Sequence, residues 1–171
     1  MEKVKLAFKK LHPDAKIPSY AHEGDAGMDI CALEDTKLPL HIPTLVRTGI
    51  AAEIPDGYEI QVRSRSGLAL KGIQVYNAPG TVDSKYRGEI GVILMYINNE
   101  VETDECGEVS QISGKIARPS PVAYNRMSRE VKAGDKIAQL VLAPVTFADI
   151  SETEELSETE RGTNGFGSTG R

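Results

Sequence analysis

The stretch "NAPGTVDSKYRGE" (77–89) places a single carboxylate, Asp83, just after a Pro-Gly turn, with Tyr86 and Arg87 three and four positions on. A carboxylate at the point where a strand resumes can accept a proton from a bound water. Gly91, in an otherwise bulky run, marks a place where a ligand can approach the backbone closely. Read alone, Asp83 is more simply a turn residue capping its own backbone, and it is the neighbouring Tyr86, Arg87 and Gly91 that favour a functional reading. A second carboxylate, Asp29 in "GDAGMDI" (24–30), is flanked by apolar residues and by itself reads as a half-buried capping group.

Glycine, serine and arginine occur together in "RSRSG" (63–67) and in "RGTNGFGSTGR" (161–171). Glycine lets backbone N–H groups converge on an anion, hydroxyls add donors, and arginine adds a forked, charge-assisted contact, so both loops suit phosphate. Each is also compatible with a plain glycine-rich turn. Neither carries the GxxxxGK[ST] pattern of a P-loop. Ser66 as a hydrolase nucleophile lacks a base, because His12, His22 and His41 are remote in sequence and no nucleophile-elbow pattern surrounds it.

Short strands must position these groups. Strand-like runs recur at 4–8, 28–33, 44–54, 58–64, 73–76, 89–97 and 136–147, separated by turn residues. In "YEIQVR", Tyr58, Ile60 and Val62 alternate with polar residues, the pattern of a strand with one buried face, whereas "IGVILMYI" is apolar on both faces and belongs deep in the protein or at a subunit contact. "APGT" reads as a tight hairpin turn. "SGLALKG" (66–72) predicts one short helix closed by Gly72. Residues 98–133 are polar and irregular and read as a surface insertion, with a partner-binding arm as the alternative, on length alone. The acidic and glycine-rich tail from Asp149 reads as a mobile segment. The division is then a β domain over 1–148 and a C-terminal lid over 149–171.

With 171 residues, 40% of them hydrophobic, the chain fits one domain. A net charge of −5 argues against a broad basic face for nucleic acid, so any anionic ligand must meet a local cluster. Cys31 and Cys106 are too few and too far apart for a disulfide framework or thiolate metal site. No apolar run approaches a membrane span and the N-terminus lacks a signal-peptide core, so a cytoplasmic protein with no membrane partner is expected.

Five segments, "AGMDI" (26–30), "RSGLALKGI" (65–73), "NAPGTVDSKYRGE" (77–89), "GDKIAQLVL" (134–142) and "RGTNGFGSTG" (161–170), resemble in order the five motifs of the trimeric deoxyuridine triphosphate nucleotidohydrolases, the dUTPases. The resemblance implies an all-β, jelly-roll-like distorted barrel (a β-clip) with one short helix, and a homotrimer that exchanges its C-terminal tails. It also implies hydrolysis of dUTP to dUMP and pyrophosphate with Mg2+. Such an activity limits uracil incorporation into DNA and supplies dUMP for thymidylate synthesis.

By position, Asp83 matches the general base that takes a proton from the water attacking the α-phosphorus, and Asp29 the carboxylate that holds Mg2+ through water. Tyr86 matches the ring beneath the deoxyribose. Asn77, Gly80, Thr81 and Val82, with Gly91 opposite, match the slot that grips uracil. Arg65, Ser66, Gly67 and Gln139 match phosphate-end contacts. In the tail, Arg161 matches a phosphate contact, Phe166 a ring stacked on uracil, and Gly167 and Ser168 the closure over the γ-phosphate. From Ile150 to Arg171 an extended tail spans roughly 70 Å, enough to reach a neighbouring subunit.

Asn164 departs from the family's usual glycine, and the chain is one residue shorter than common members between "RSGLALK" and "GIQV", which Gly72 can absorb. The nearest alternative is a related dCTP deaminase, and a catalytically silent module with the same pocket is another. The intact third and fifth segments favour the dUTPase reading.

Overall fold

The computed structural model describes residues 3–97 and 128–164. Among them the chain is nearly all β, as expected, with one helix. The strands fall into four short sheets packed on one core, and none closes into a barrel. The elements are β1 (Ala7–Lys10), β2 (Met28–Cys31), β3 (Thr36–Pro39), β4 (Thr44–Val46), β5 (Ile50–Glu53), β6 (Tyr58–Arg63), α1 (Ser66–Ala69), β7 (Ile73–Val75), β8 (Gly80–Val82), β9 (Val92–Tyr96), β10 (Ser128–Val131) and β11 (Lys136–Pro144). No described helix is long and apolar enough to cross a membrane.

The four-stranded sheet runs β2-β11-β6-β8, and every pairing in it is antiparallel. Its inward residues, among them Ile30, Ile60, Val62 and Leu140, meet the inner face of the β4-β9-β7 sheet, where Val46, Val75, Val92 and Leu94 are all buried. The "IGVILMYI" run places Val92, Leu94 and Tyr96 in this core, while Ile93 and Met95 face outward, half-buried. Period-two alternation therefore survives in a segment apolar on both faces.

Three strands escape the sequence pattern. β3 (TKLP) and β10 (SREV) pair with each other across almost ninety residues, and each buries one apolar side chain, Leu38 or Val131. One inward residue per strand leaves no alternation to read. The end of the 98–133 segment is accordingly part of the fold from Ser128, and the rest of that insertion lies outside the described residues. β8 is the third, and it corrects the hairpin reading of "APGT". β7 and β8 do not pair; β7 belongs with β9 and β8 with β6, so the turn, with a cis Ala78–Pro79 peptide, carries the chain from one sheet to the other.

The run 44–54 is likewise two strands. Buried Thr48 donates its hydroxyl to Ile90 O at 2.7 Å and accepts from Ile50 N at 3.2 Å, and Gly49 follows with φ +67°, so the chain bends between β4 and β5. At the other predicted breakpoint Gly72 does close α1, with φ +74°, and a side chain there would run into the Ile97 carbonyl. Gly72→Ala is expected to cost at least about 2 kcal/mol, seen as a melting temperature lower by roughly 4–8 °C in a thermal scan.

Candidate functional site

Most of the residues singled out in 77–91 surround one cavity of about 420 Å³. Asn77, Thr81, Val82, Asp83, Tyr86 and Gly91 line it, together with Leu45, Arg47, Glu89, Ile90 and Ile93. One side is β8. Because β8 is the outer strand of its sheet, it pairs with β6 along one edge, with Gly80 opposite Val62 and Val82 opposite Ile60, and its other edge has no strand partner among the described residues. An open strand edge is a ready template of backbone donors and acceptors. Gly80 is buried behind this wall, with the Asn77 amide packed against it.

Asp83 leaves β8 at the rim, exposed, and its carboxylate has no hydrogen-bond or ion-pair partner among the described residues. Its carbonyl accepts the Tyr86 N–H at 3.0 Å, which turns the chain so that the tyrosine ring faces the cavity. The ring lies over Gly88, where a Cβ would overlap it, and its hydroxyl donates to Glu89 O at 3.0 Å.

A second group forms where β2, β11 and α1 meet. Asp29 is buried at 7% exposure. Lys136 Nζ lies 2.8 Å from its Oδ2, and Arg65 Nε 2.9 Å from its Oδ1. The Arg65 contact is close enough for an ion pair but outside hydrogen-bonding angles, so Oδ1 keeps unused acceptor capacity. Pairing with two cations offsets the cost of burying the charge. Arg65, the residue before α1, also donates to Lys136 O at 2.9 Å. Ser66 and Gly67 open the helix, exposed, and the first N–H groups of a helix have no intrahelical acceptor. Gln139 stands opposite Asp29 in the β11–β2 register, and its side chain packs beside Gly27, where a larger residue would crowd it. Beside this corner a cavity of about 630 Å³ is lined by Arg65, Lys71, Arg129 and Lys136 against Glu130 and Asp135. It is a local cationic excess in an acidic chain.

These two groups do not merge within one chain. None of Asp29, Arg65, Ser66, Gly67 and Gln139 lines the Asp83 cavity. Arg161 joins neither: the tail 149–164 is exposed throughout, and Arg161 Nε donates to Asn164 O at 3.0 Å within its own turn. Asn164 does not adopt positive φ, so the turn does not use that tolerance; Gly162 supplies it. Phe166, Gly167 and Ser168 lie outside the described residues. Among the described residues no histidine hydrogen-bonds Ser66; His12 Nδ1, for example, accepts from Asp14 N. Burial pushes the Cys31 thiol up, with Lys16 partly opposing, and Cys106 is not described. Among the described residues no three His, Cys, Asp or Glu side chains converge as a metal site.

Sequence reasoning missed Leu45, Arg47 and Glu89 in the cavity wall and Lys136 beside Asp29. Glu89 is the most heavily bonded of them. Its Oε1 accepts Thr48 N at 2.9 Å and Gly49 N at 2.7 Å, and its Oε2 faces Arg47 Nη2 at 3.2 Å and Nε at 3.3 Å. The only signal in sequence was an acid next to an apolar strand, with Arg47 forty residues away. Burial opposes its charge, but the Gly49 and Thr48 amides and the Arg47 guanidinium outweigh that and hold the carboxyl below the usual glutamate value. A lowered folded value means that the stabilisation is complete above the unfolded glutamate pKa, about 4.3, and is lost as pH falls from there through the folded value. Glu89→Gln is expected to melt lower than wild type at neutral pH, and the gap between the two should narrow between about pH 5 and about pH 3 in thermal scans.

The dUTPase family profile matches residues 13–112 and 120–170. A deoxyuridine 5'-triphosphate nucleotidohydrolase of Picosynechococcus sp. is 46% identical over 166 residues, covering 96% of this chain and 98% of that protein. The dUTPase of Staphylococcus bacteriophage 80alpha, solved with dUPNHPP, superposes with a TM-score of 0.76 at 29% identity, covering 99% of this chain and 100% of the other. A mutant dUTPase from phage phi11 of S. aureus, described as revealing the coordination of a structural Mg(II) ion, superposes at 0.68 with 27% identity over 91% of this chain and 100% of the other.

Proposed function

The chain belongs to the dUTPase family, and from that premise we propose that it hydrolyses dUTP to dUMP and pyrophosphate, with Asp83 as general base. The observation that carries this reading is an unpaired carboxylate at the rim of a cavity walled by an open strand edge. Uracil presents acceptor, donor and acceptor along O4, N3–H and O2, and the outer backbone row of β8 offers complementary groups at fixed spacing. Cytosine reverses the first two, and each buried group left unpaired costs about 1–3 kcal/mol. Gly91 and Leu45 narrow the opposite wall, which suits exclusion of a 5-methyl group by shape. The Tyr86 ring fills the space that a 2′-hydroxyl needs.

Asp83 takes the proton of a water as its oxygen forms a bond to the α-phosphorus; the bond from that phosphorus to the bridging oxygen breaks, and pyrophosphate leaves. Arg65, Ser66 and the free N–H groups at the start of α1 bind phosphoryl oxygens, with Gln139 beside them. Asp29 fits a magnesium site reached through water, since Oδ1 keeps an unused lone pair toward a corner already rich in charge. Mg2+ held there would offset part of the triphosphate charge and polarise its phosphoryl oxygens.

Because one chain holds the base-binding cavity and the phosphate corner apart, a neighbouring copy completes each site, in a homotrimer. The tail of a subunit closes over it, bringing Arg161 to the phosphates, Phe166 to the uracil, and Gly167 and Ser168 to the γ end. Closure excludes bulk water from the reacting centre. The β domain of 1–148 and the lid of 149–171 are thus separate working parts, in a cytoplasmic enzyme that acts on free nucleotide.

Pyrophosphate release from dUTP, dTTP, dCTP and UTP tests the activity: dUTP is expected to exceed each of the others in kcat/KM by roughly 100-fold, and ammonia release from dCTP would instead favour the deaminase. Asp83→Asn should still bind dUTP while kcat falls by about 10³-fold, because proton acceptance is lost and shape is kept. Truncation before Arg161 should lower turnover by about 100-fold with trimer mass unchanged in light scattering; loss of assembly would make the tail a structural strap.

A further inference from the structure

We propose that Glu89 is a positioning residue for sugar selectivity: its carboxylate clamps the segment carrying Tyr86 onto the bend between β4 and β5, and so fixes where the tyrosine ring stands beneath the sugar. The proposal rests on the reading of the cavity as a deoxyuridine site.

Tyr86 is 48% exposed and sits in a loop whose neighbours Lys85 and Arg87 are also exposed, so packing alone does not hold it. What fixes its outer end is the hydroxyl bond to Glu89 O, at 3.0 Å. That same carbonyl accepts the Gly91 N–H at 3.0 Å, so one backbone oxygen ties the tyrosine to the opposite wall of the cavity. The carbonyl is only as well placed as residue 89 itself, and residue 89 is anchored through its side chain to two backbone N–H groups and a guanidinium. Ile90 continues the anchor, donating its N–H to Ile50 O at 2.8 Å and accepting the Thr48 hydroxyl at 2.7 Å.

The chemistry of the clamp requires a carboxylate. Two amides and an arginine all donate, and only a group with two acceptor oxygens satisfies every one. Glutamine keeps one oxygen and turns an NH2 toward either the bend or Arg47, which pushes the segment away. Exclusion of a 2′-hydroxyl by a ring is a steric test, sensitive to shifts well below 1 Å. A loosened ring therefore admits ribose before it spoils hydrolysis.

The experiment measures kcat and KM for dUTP and UTP in wild type, Glu89→Gln, Tyr86→Phe and the double variant. In Glu89→Gln the dUTP to UTP ratio of kcat/KM should fall roughly tenfold, chiefly because UTP is used better, while kcat for dUTP changes much less. Tyr86→Phe, which keeps the ring and loses the bond, should shift the ratio in the same direction, and the double variant should go no further than the larger single effect. A merely structural role predicts that both substrates decline together with the ratio unchanged, and that result overturns the proposal. Effects that multiply in the double variant overturn it too, since Glu89 would then not act through the tyrosine. If Glu89→Gln does not fold, Arg47→Met, which removes one arm of the clamp, must show a smaller fall in the ratio, and an unchanged ratio rejects the idea. Wild type that turns over dUTP but shows no preference for it over UTP removes the proposal, together with the sugar-excluding role of Tyr86, and leaves dUTP hydrolysis standing, whereas wild type inert toward dUTP removes the function on which both stand.

Discussion

β6 is the strand against which both parts of the site are measured. Its residues from Tyr58 to Arg63 pair on one side with β8, whose far edge forms the cavity wall, and on the other with β11, which in turn pairs with β2 and sets Gln139 opposite Asp29. Its C-terminal end runs directly into Ser64 and Arg65, where the Ser64 hydroxyl accepts Val75 N at 2.9 Å and fastens the start of α1 to β7. A slip of one residue in either pairing would turn Ile60 and Val62 out of the core and present the wrong faces of β8 and β11. Burial of those two side chains, at 0% and 3% exposure, therefore locks the register on which the chemistry rests.

Charge is distributed in keeping with that frame. A chain of net charge −5 that handles a polyanion must gather its cations locally, and it does so at the corner of Arg65, Lys71, Arg129 and Lys136. Two of these, Arg65 and Lys136, pair with Asp29. The Asp83 rim is different. Among the described residues no cation pairs with its carboxylate, an arrangement consistent with the proposed role of accepting a proton. The two carboxylates thus have opposite surroundings, one buried and paired, the other exposed and without a partner among the described residues.

The bend at Thr48 and Gly49 shows how a fold element and a site element become one. A continuous strand over 44–54 would satisfy its own ladder; the bend exposes two N–H groups that need acceptors, and Glu89 supplies them. In return the bend holds Glu89, and with it the carbonyl shared by Tyr86 and Gly91. Backbone satisfaction in one sheet thereby becomes geometry in the cavity.

Much of this was legible in sequence where the signal is local. Alternation in "YEIQVR" and the helix closed by Gly72 follow from residue type and short spacing, because backbone preference acts within a few positions, whereas the roles expected of Asp83, Asp29, Arg65 and Tyr86 came from the resemblance of their segments to the dUTPase motifs. β3 and β10 were hidden because each buries one side chain and their partnership spans almost ninety residues. The crossing of "APGT" between sheets was hidden because a tight turn looks the same whether or not the strands it joins pair. Arg47 and Glu89 were hidden for the same reason: an acid and a base forty residues apart carry no mark of each other until the bend brings them together. The amino-acid sequence determined which groups are available and what they can do. Only the tertiary structure decided which of them share a wall and which stand apart in the chain, since that depends on non-local pairing that no local pattern records.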